Sequence, residues 1–352
     1  MIEKLILFIK KAHNLGFFLF TLFLIIGCDA EKKVFRFVGE TMGTTYSITV
    51  VDRDIHSKSN RIKNEIDSVL VEINRQMSTY DHESEISKLN DLQSDNWFSV
   101  SQDFHRVLSK AKQLSQQSNG LFDITVMPLV TLWGFRYSEK DHDWQPPSQQ
   151  KIDSVLSHIG SQYFELDINK FRKLKPTLQI DVNAIAKGYG VDAIANLLNS
   201  NSFANYLVEI GGEIRCSGKN QQDNLWSIGI DSPALNSMPG VSLYSIVGLS
   251  NTSMATSGDY RNYTIYKDEL YSHVINPQTG YPTKSVVSSA TVITPTCMMA
   301  DGLATMLLVM EPEAGIRFIN ALEDSEGLLI VRNSDSTFSE LKSEGFDSYI
   351  KN

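Results

Sequence analysis

An aspartate and a threonine share one face of an otherwise apolar segment near the C-terminal end of the sequence. The segment reads CMMADGLATMLLVM, residues 297–310, and its apolar spacing predicts a buried helix. Asp301 and Thr305 stand four positions apart, so a helix places them on one face. A carboxylate in an apolar wall must be hydrogen-bonded, paired or bound to a cation. The pattern fits two oxygen ligands for a hard divalent cation, or an N-cap role for Asp301 in a helix that begins at Gly302.

Other polar residues stand at the ends of apolar elements elsewhere in the chain. Lysine side chains and backbone N–H groups are typical phosphate ligands, and a histidine can transfer a proton near neutral pH. Together these residues fit a ligand that carries a pyrophosphate and a divalent cation. They are Asp123 in GLFDITVMPLVTLWGF, Asp181 and Lys187 in QIDVNAIAKGYG, Glu213 in EIGGE, Ser257 to Asp259 in MATSGDY, and His273 in SHVINPQTGYPT.

A glycine-rich stretch supports a different class of protein. GYGVDA, residues 188–193, matches the glycine pattern of a dinucleotide-binding turn, and Glu209 follows about 20 residues later, as that pattern requires. A nicotinamide oxidoreductase with a Rossmann sheet is therefore an alternative. Against it, Asp181, Asn183 and Lys187 interrupt what would be a buried first strand, and the later strands are spaced as hairpins.

The composition is that of a folded, acidic protein. The chain has 352 residues, of which 42% are hydrophobic and 21% charged, so it can bury a sizeable core. The formal net charge is −9 and no basic run occurs, which argues against a nucleic-acid-binding protein.

The N-terminal segment is typical of a bacterial lipoprotein signal. Lys10 and Lys11 precede an apolar stretch, residues 15–26, that is shorter than the roughly 20 residues of a membrane-spanning helix. The ending LIIGC resembles a lipoprotein cleavage site, with Cys28 as the lipidated residue. Asp29 resembles an inner-membrane retention signal. We therefore expect a signal peptide over 1–27 and a lipidated tether over 28–36, with an uncleaved signal anchor as the alternative.

The rest of the chain mixes helices with strands that follow one another at hairpin spacing. Alternating apolar residues in KVFRFVGETMGTTYSITVV predict two strands around a glycine turn, and VVSSATVITP predicts a further strand. RIKNEIDSVLVEINRQM and SQDFHRVLSKAKQLSQQSNG have helical spacing, the second closed by Asn119 and Gly120. The fold class expected is α+β in one compact domain, with a mostly antiparallel sheet and packed helices.

Several motifs, in their order and spacing, resemble one protein family. GETMGTTY, MSTYDHESEISKLN, GLFDITVMPLVTLWGF, DVNAIAKGYGVD, VEIGGE, ATSGDY, HVINPQTGYP and MMADGLATML are similar to motifs of the ApbE-type flavin transferases. The resemblance runs from about Gly39 to Met310. It implies an ApbE-like domain over 37–345 and Mg²⁺-dependent transfer of FMN from FAD, as a substrate, to a Ser or Thr hydroxyl of an acceptor protein, with release of AMP.

The resemblance also implies roles for individual residues. The metal ligands would be the Ala184 carbonyl and the side chains of Asp301 and Thr305. His273 would be the catalytic base, with Asp301 as the alternative base. The contacts to FAD would be Met42, Tyr80, Phe122, Asp123, Ile124, Asp181, Lys187 and Ile275.

The implied partners are FAD, an acceptor protein such as a membrane redox subunit, and the membrane through the lipid anchor, with no nucleic acid. The implied location is the periplasmic face of the bacterial inner membrane. Two alternatives remain: an FAD pyrophosphatase that yields FMN and AMP, and a non-catalytic FAD-binding lipoprotein. For the second, SVVSSATV faintly resembles an acceptor sequence with Thr291 in the acceptor place, although an ordinary β-strand fits its β-branched residues better.

Overall fold

The computed structural model describes residues 32–136, 144–234, 240–259, 263–267, 269–283, 286–335 and 337–351. The signal peptide expected over 1–27, and Cys28 with it, lie outside the described residues. Within those ranges, no helix combines the length and apolar character needed to cross a membrane. The first strand begins at Lys33, ahead of the expected domain boundary at residue 37, and folded elements continue to Tyr349.

An eight-stranded sheet forms the centre of the molecule, and every neighbouring pair in it is antiparallel. The prediction of an α+β fold with a mostly antiparallel sheet is therefore confirmed. Its strands, in spatial order, are β1 (Lys33–Thr41), β2 (Thr44–Asp52), β6 (Tyr206–Ile210), β7 (Glu213–Ser217), β10 (Thr252–Gly258), β13 (Val287–Thr294), β14 (Glu326–Arg332) and β15 (Phe338–Lys342).

Three smaller sheets flank the central one in the described part of the chain. They are β3 (Phe98–Ser99) with β5 (Lys170–Lys173) and β4 (Phe164–Asp167), β8 (Trp226–Asp231) with β9 (Leu243–Leu249), and β11 (Tyr263–Tyr266) with β12 (Glu269–Ser272). The β8–β9 pair covers one face of the central sheet through a shared apolar core.

Most of the described helices cover the opposite face of the central sheet. Helices α6 (Asn183–Ser200) and α7 (Cys297–Leu307) pack against each other, and α7 lies on β10 and β13. These elements enclose the largest apolar core together with α3 (Gln102–Gln117). The described helices are α1 (Ile55–Met77), α2 (Glu85–Asp91), α3 (Gln102–Gln117), α4 (Met127–Leu132), α5 (Gln149–Leu156), α6 (Asn183–Ser200), α7 (Cys297–Leu307) and α8 (Pro312–Asn320).

The local turn signals act as the sequence predicts. Met42 and Gly43 connect β1 to β2 with φ angles of +51° and +72°, the conformation of a two-residue hairpin turn. Helix α3 ends where Asn119 and Gly120 turn into the left-handed region, and the Gly120 N–H donates to the Ser115 carbonyl at 2.7 Å. The hairpin turn and the helix end are therefore both determined by residues that are close together in the sequence.

The Rossmann alternative is wrong. No strand leads directly into α6, because residues 174–182 form turns and irregular backbone after β5. Gly188 and Gly190 lie inside the helix rather than in a phosphate-binding turn. The fully antiparallel central sheet also lacks the parallel crossover units of that fold.

The glycines of α6 instead permit a close approach between elements. A Cβ atom on Gly188 would lie 2.4 Å from the carbonyl oxygen of Cys297 and 2.8 Å from the Asp301 Cβ. A Cβ atom on Gly190 would lie 3.2 Å from the Met42 sulfur, a contact that a flexible side chain can relieve. The absence of a side chain at 188 therefore sets the spacing between α6 and α7.

We expect Gly188→Ala to destabilise the protein by about 2–4 kcal/mol, because the added methyl group meets the backbone of α7. Gly190→Ala is the matched control on the same helix. Alanine favours the helix by about 1 kcal/mol over glycine at either position. At 190 the added methyl group meets only the ends of the Met42 and Ile210 side chains, so the stability of Gly190→Ala should stay near that of the wild type. Urea unfolding of both variants measures the difference. Equal stabilities would contradict the close approach at Gly188.

Candidate active site

Asp301 lies in the second turn of α7, with only 2% of its surface exposed. The N-cap interpretation is therefore wrong, since the helix begins at Cys297. The first N–H groups of α7 donate instead to the buried carboxylate of Asp192 on α6, at 2.9 Å from both Cys297 and Met298. Arg215 pairs with the same carboxylate at 2.6 Å. Asp192 thus caps α7 from a neighbouring helix and holds it in place.

Asp301 faces α6, where it meets a hydrogen-bond donor and a cation. Its Oδ2 accepts the Gly188 N–H at 2.8 Å, and its Oδ1 lies 3.9 Å from the Lys187 ammonium. The ammonium is closer to Glu213, at 2.9 Å from Oε1. Glu213 is 4% exposed, and among the described residues no partner hydrogen-bonds to its Oε2.

These three side chains form a buried cluster with two carboxylates and one ammonium. Burial raises the pKa of Glu213 to about 7 and raises the pKa of Asp301, with the Lys187 charge opposing both shifts. The two carboxylates raise the pKa of Lys187 against the effect of its own burial. Because the cluster lacks one positive charge when both acids are ionised, it favours uptake of a further cation.

Thr305 lies one turn after Asp301 on α7, and its hydroxyl is 3.2 Å from the Ser257 hydroxyl at the end of β10. Ala184 lies in the first turn of α6. In a regular helix its carbonyl accepts the N–H four residues later, which belongs to Gly188. That N–H donates to Asp301, and a carbonyl oxygen has two lone pairs, so the Ala184 carbonyl retains the capacity to accept a further partner.

The donor set suits Mg²⁺ bound together with phosphate. In the described ranges, no three His, Cys, Asp or Glu side chains gather into a protein-only metal cluster. Mg²⁺ does not require one, because it is usually held by one or two carboxylates, water and substrate phosphates. The buried Asp301 carboxylate is a group of that kind, and the Thr305 hydroxyl and the Ala184 carbonyl are further oxygen donors.

Two turns of the central sheet pack against α6 near Lys187. Met42, at the tip of the β1–β2 hairpin, is half-buried and packs beside Gly190 of α6. Gly211, in the β6–β7 turn, has a φ of +62°, and a Cβ on it would lie 3.4 Å from the Lys187 Cδ. Met42 and Lys187, both expected to contact FAD, therefore lie on neighbouring parts of α6 and these two turns.

A second group of expected ligand contacts surrounds the N-terminus of α6. The Asp181 N–H donates to the Ile124 carbonyl at 2.7 Å, and the Asp181 carboxylate accepts the Asn183 N–H at 2.7 Å. Burial raises the pKa of Asp181, while the Asn183 N–H and the Arg136 guanidinium oppose the shift. Arg136 was not predicted from the sequence. It donates to the Thr79 carbonyl at 2.9 Å, beside Tyr80.

Tyr80 presents an aromatic surface next to this group. Its side chain is 67% exposed. Partial burial of the phenol and the charge of Asp181 raise the pKa of Tyr80. An exposed ring beside an acid and an arginine is suited to stack on a flat heteroaromatic ligand.

The Phe122–Ile124 segment turns its side chains toward the protein. Phe122 and Ile124 are each 3% exposed and belong to the main core. Asp123 accepts hydrogen bonds from the Thr125 N–H and hydroxyl and from the Ser161 N–H, at 2.7–2.8 Å. A cleft of about 340 Å³ opens beside Asp123. Any ligand contact by this segment would therefore use mainly its backbone.

His273 follows directly after β12 and is half-buried. Its segment is tied to α7, because the Thr283 N–H donates to the Val274 carbonyl at 2.7 Å and the Thr283 hydroxyl donates to the Leu308 carbonyl at 3.1 Å. Ile275 is buried in an aromatic-rich cluster that contains Trp133 and Tyr271. The fold thus attaches the histidine segment to the helix that carries Asp301.

Two other sequence features have structural roles. Thr291 is 1% exposed on β13, and its hydroxyl lies 2.9 Å from that of Thr256. The interpretation of SVVSSATV as an ordinary β-strand is confirmed, and Thr291 is not accessible to an enzyme. Cys216 and Cys297 are buried free thiols. Burial raises the pKa of Cys216 to about 12.

Known proteins are similar to this chain in both sequence and fold. The model of the ApbE family matches residues 42–329. The chain is 37% identical over 330 residues to the FAD:protein FMN transferase of Vibrio cholerae serotype O1, covering 94% of this chain and 97% of that protein. It is 31% identical over 341 residues to the FAD:protein FMN transferase of Escherichia coli K12, covering 92% and 94%.

Solved structures agree with these sequence matches. The flavin transferase ApbE from Vibrio cholerae superposes with a TM-score of 0.81 at 38% identity, over 90% of this chain and 99% of that one. The apo form of the Pseudomonas stutzeri flavinyl transferase ApbE gives a TM-score of 0.80 at 31% identity, over 91% and 97%.

Proposed function

The chain belongs to the ApbE family, and from this premise we propose how it acts as an FAD:protein FMN transferase. FAD is the substrate and a protein is the acceptor. The finer features of the proposal are Mg²⁺ dependence, a Ser or Thr hydroxyl as acceptor, and AMP as leaving group. The observation that supports the Mg²⁺ dependence is the buried Lys187–Glu213–Asp301 cluster, which lacks one positive charge when both acids are ionised, with the Thr305 hydroxyl one helical turn from Asp301. The Ser or Thr acceptor and the AMP leaving group follow from the family.

Mg²⁺ would be held by Asp301, Thr305 and the carbonyl of Ala184. The chemistry that a bound Mg²⁺ supplies is neutralisation of charge on the pyrophosphate while its bond to AMP breaks. Asp301 is suited to this role because the Gly188 N–H fixes its carboxylate and the surrounding apolar residues exclude most of the water.

The protein's own residues would bind FAD and move one proton. Met42, Tyr80, Asp181, Lys187 and the 122–124 backbone hold the dinucleotide, with Tyr80 stacking on a ring and Lys187 contributing positive charge. The acceptor hydroxyl attacks the FMN phosphorus, the bond from that phosphorus to the AMP oxygen breaks, and His273 takes the hydroxyl proton. The products are a phosphoester-linked FMN and AMP.

We propose that the mature protein is anchored by lipid at Cys28 and faces the periplasm at the inner membrane. The sequence LIIGC with a preceding short apolar stretch supports this location. Membrane redox subunits with domains in the same compartment are then the acceptors within reach.

The test uses the protein from Glu31 onward, which retains every described strand and helix. It is incubated with FAD, Mg²⁺ and the purified extracytoplasmic domain of a candidate redox subunit, with and without EDTA. We expect the acceptor to gain one FMN, an equal amount of AMP to appear, and EDTA to abolish both. Intact mass and AMP release are measured on the same samples.

The alternatives give other results. AMP and free FMN without acceptor labelling would support the FAD pyrophosphatase. Tight FAD binding with no AMP would support a non-catalytic FAD-binding lipoprotein. Acceptor labelling that persists in EDTA would contradict only the metal requirement and would leave the transferase activity standing.

A further inference from the structure

The Lys187 ammonium lies unequally between two buried carboxylates. It is 2.9 Å from Glu213 Oε1 and 3.9 Å from Asp301 Oδ1. Glu213 belongs to neither the expected metal ligands nor the expected FAD contacts. Its side chain is nevertheless almost as deeply buried as that of Asp301, which indicates a specific role.

The backbone around Glu213 fixes its carboxylate. Glu213 is the first residue of β7, directly after Gly211 and Gly212, whose φ angles are +62° and +103°. The Gly212 N–H donates to Glu209 Oε1 at 2.8 Å, which closes the turn. Gly211 also packs on the aliphatic stem of Lys187. The turn therefore holds both the stem and the charged end of the lysine.

The two carboxylate oxygens of Asp301 have different neighbours. Its Oδ2 is already an acceptor for Gly188, and Oδ1 is the oxygen that faces Lys187. A lysine side chain is flexible, and its ammonium competes with a metal ion for a carboxylate oxygen. Without a second carboxylate to hold it, the ammonium would move onto Oδ1.

We infer that Glu213 is a positioning residue, which tethers the Lys187 ammonium away from Asp301 Oδ1 and so keeps that oxygen open to Mg²⁺. The inference rests on the metal site of the proposed function. It assigns Glu213 no contact with FAD, the acceptor or the reacting atoms.

The experiment measures metal affinity directly, without turnover. Mn²⁺ replaces Mg²⁺ at oxygen-rich sites and its free form is quantified by electron paramagnetic resonance, while Mg²⁺-induced thermal stabilisation gives a second measurement. We expect Glu213→Gln to raise the Mn²⁺ dissociation constant about tenfold, the size typical of a residue that orients a metal ligand. Glu165→Gln is the control: Glu165 is a half-exposed carboxylate on β4 that pairs with Arg172 outside this turn, and its variant should bind Mn²⁺ as the wild type does.

Two further variants separate position from charge. Glu213→Asp keeps the charge but withdraws the carboxylate by one methylene group, so it should also weaken Mn²⁺ binding. Removing the competing ammonium in the double variant Lys187→Met, Glu213→Gln should return the dissociation constant to within about threefold of the wild type.

The inference is overturned if Glu213→Gln binds Mn²⁺ normally, if Glu213→Asp does so, or if the double variant stays as weak as Glu213→Gln. Each of these outcomes leaves the proposed metal site standing, because the wild type still binds Mn²⁺. A wild-type protein that binds no Mn²⁺ and gains no stability from Mg²⁺ would instead overturn the metal site, and the inference with it.

Discussion

Asp301→Asn is expected to lower FMN transfer by about a thousandfold, which corresponds to about 4 kcal/mol of transition-state stabilisation. The amide can still accept the Gly188 N–H, so the packing of α6 on α7 is retained. The neutral amide cannot supply the negative charge that a divalent cation requires in these apolar surroundings. The measurement is the initial rate of acceptor labelling at saturating FAD over a series of Mg²⁺ concentrations.

Asp67→Asn provides a control of the same chemical change. Asp67 is half-exposed on α1, where it accepts a hydrogen bond from Tyr46 at 2.7 Å and pairs with Lys63. It lies outside the site and should leave transfer unchanged. A transfer rate for Asp301→Asn within about tenfold of wild type would show that Asp301 is not a metal ligand.

His273→Ala is expected to slow transfer by about a hundredfold or more, while FAD affinity changes little. Loss of a general base typically costs this much, because the proton of the acceptor hydroxyl must then leave to water. Ile275 and the aromatic cluster hold the segment independently of the imidazole, so the loop should keep its conformation. Single-turnover labelling of the acceptor, together with FAD titration by flavin fluorescence, separates the two effects.

His105→Ala is the matched control for this substitution. His105 lies on α3 near Ser109 and is not among the residues assigned to the site. If His273→Ala retained the full labelling rate, the base assignment would be wrong. If it lost FAD binding in proportion to its rate, the histidine would be a binding residue instead.

Local sequence accounts for much of the fold. The alternation in KVFRFVGETMGTTYSITVV with a Met-Gly turn predicts the β1–β2 hairpin, and Asn119-Gly120 predicts the end of α3. These features depend on residues within a few positions of one another, so backbone preference and side-chain periodicity are enough to fix them. The order and spacing of the motifs likewise indicate the family, because both can be read directly from the chain.

The same reasoning is wrong where packing overrides local pattern. The glycines at 188 and 190 match a phosphate-binding turn, yet they lie within α6, where Gly188 allows a close contact with α7. Asp301 has the sequence features of an N-cap, yet Asp192 takes that role from another helix. Neither contact has a local sequence signal.

The class of fold, the family and the residue types that could carry the chemistry all follow from the order of amino acids. The pairing of those residues does not. Asp301 faces Gly188, 113 positions away, and Lys187 is held by Glu213 rather than by Asp301, because of the way in which distant segments pack. A buried charge is stabilised by whatever partners the packing of α6, α7 and the central sheet brings within about 4 Å. The local pattern of the chain contains no information about that distance.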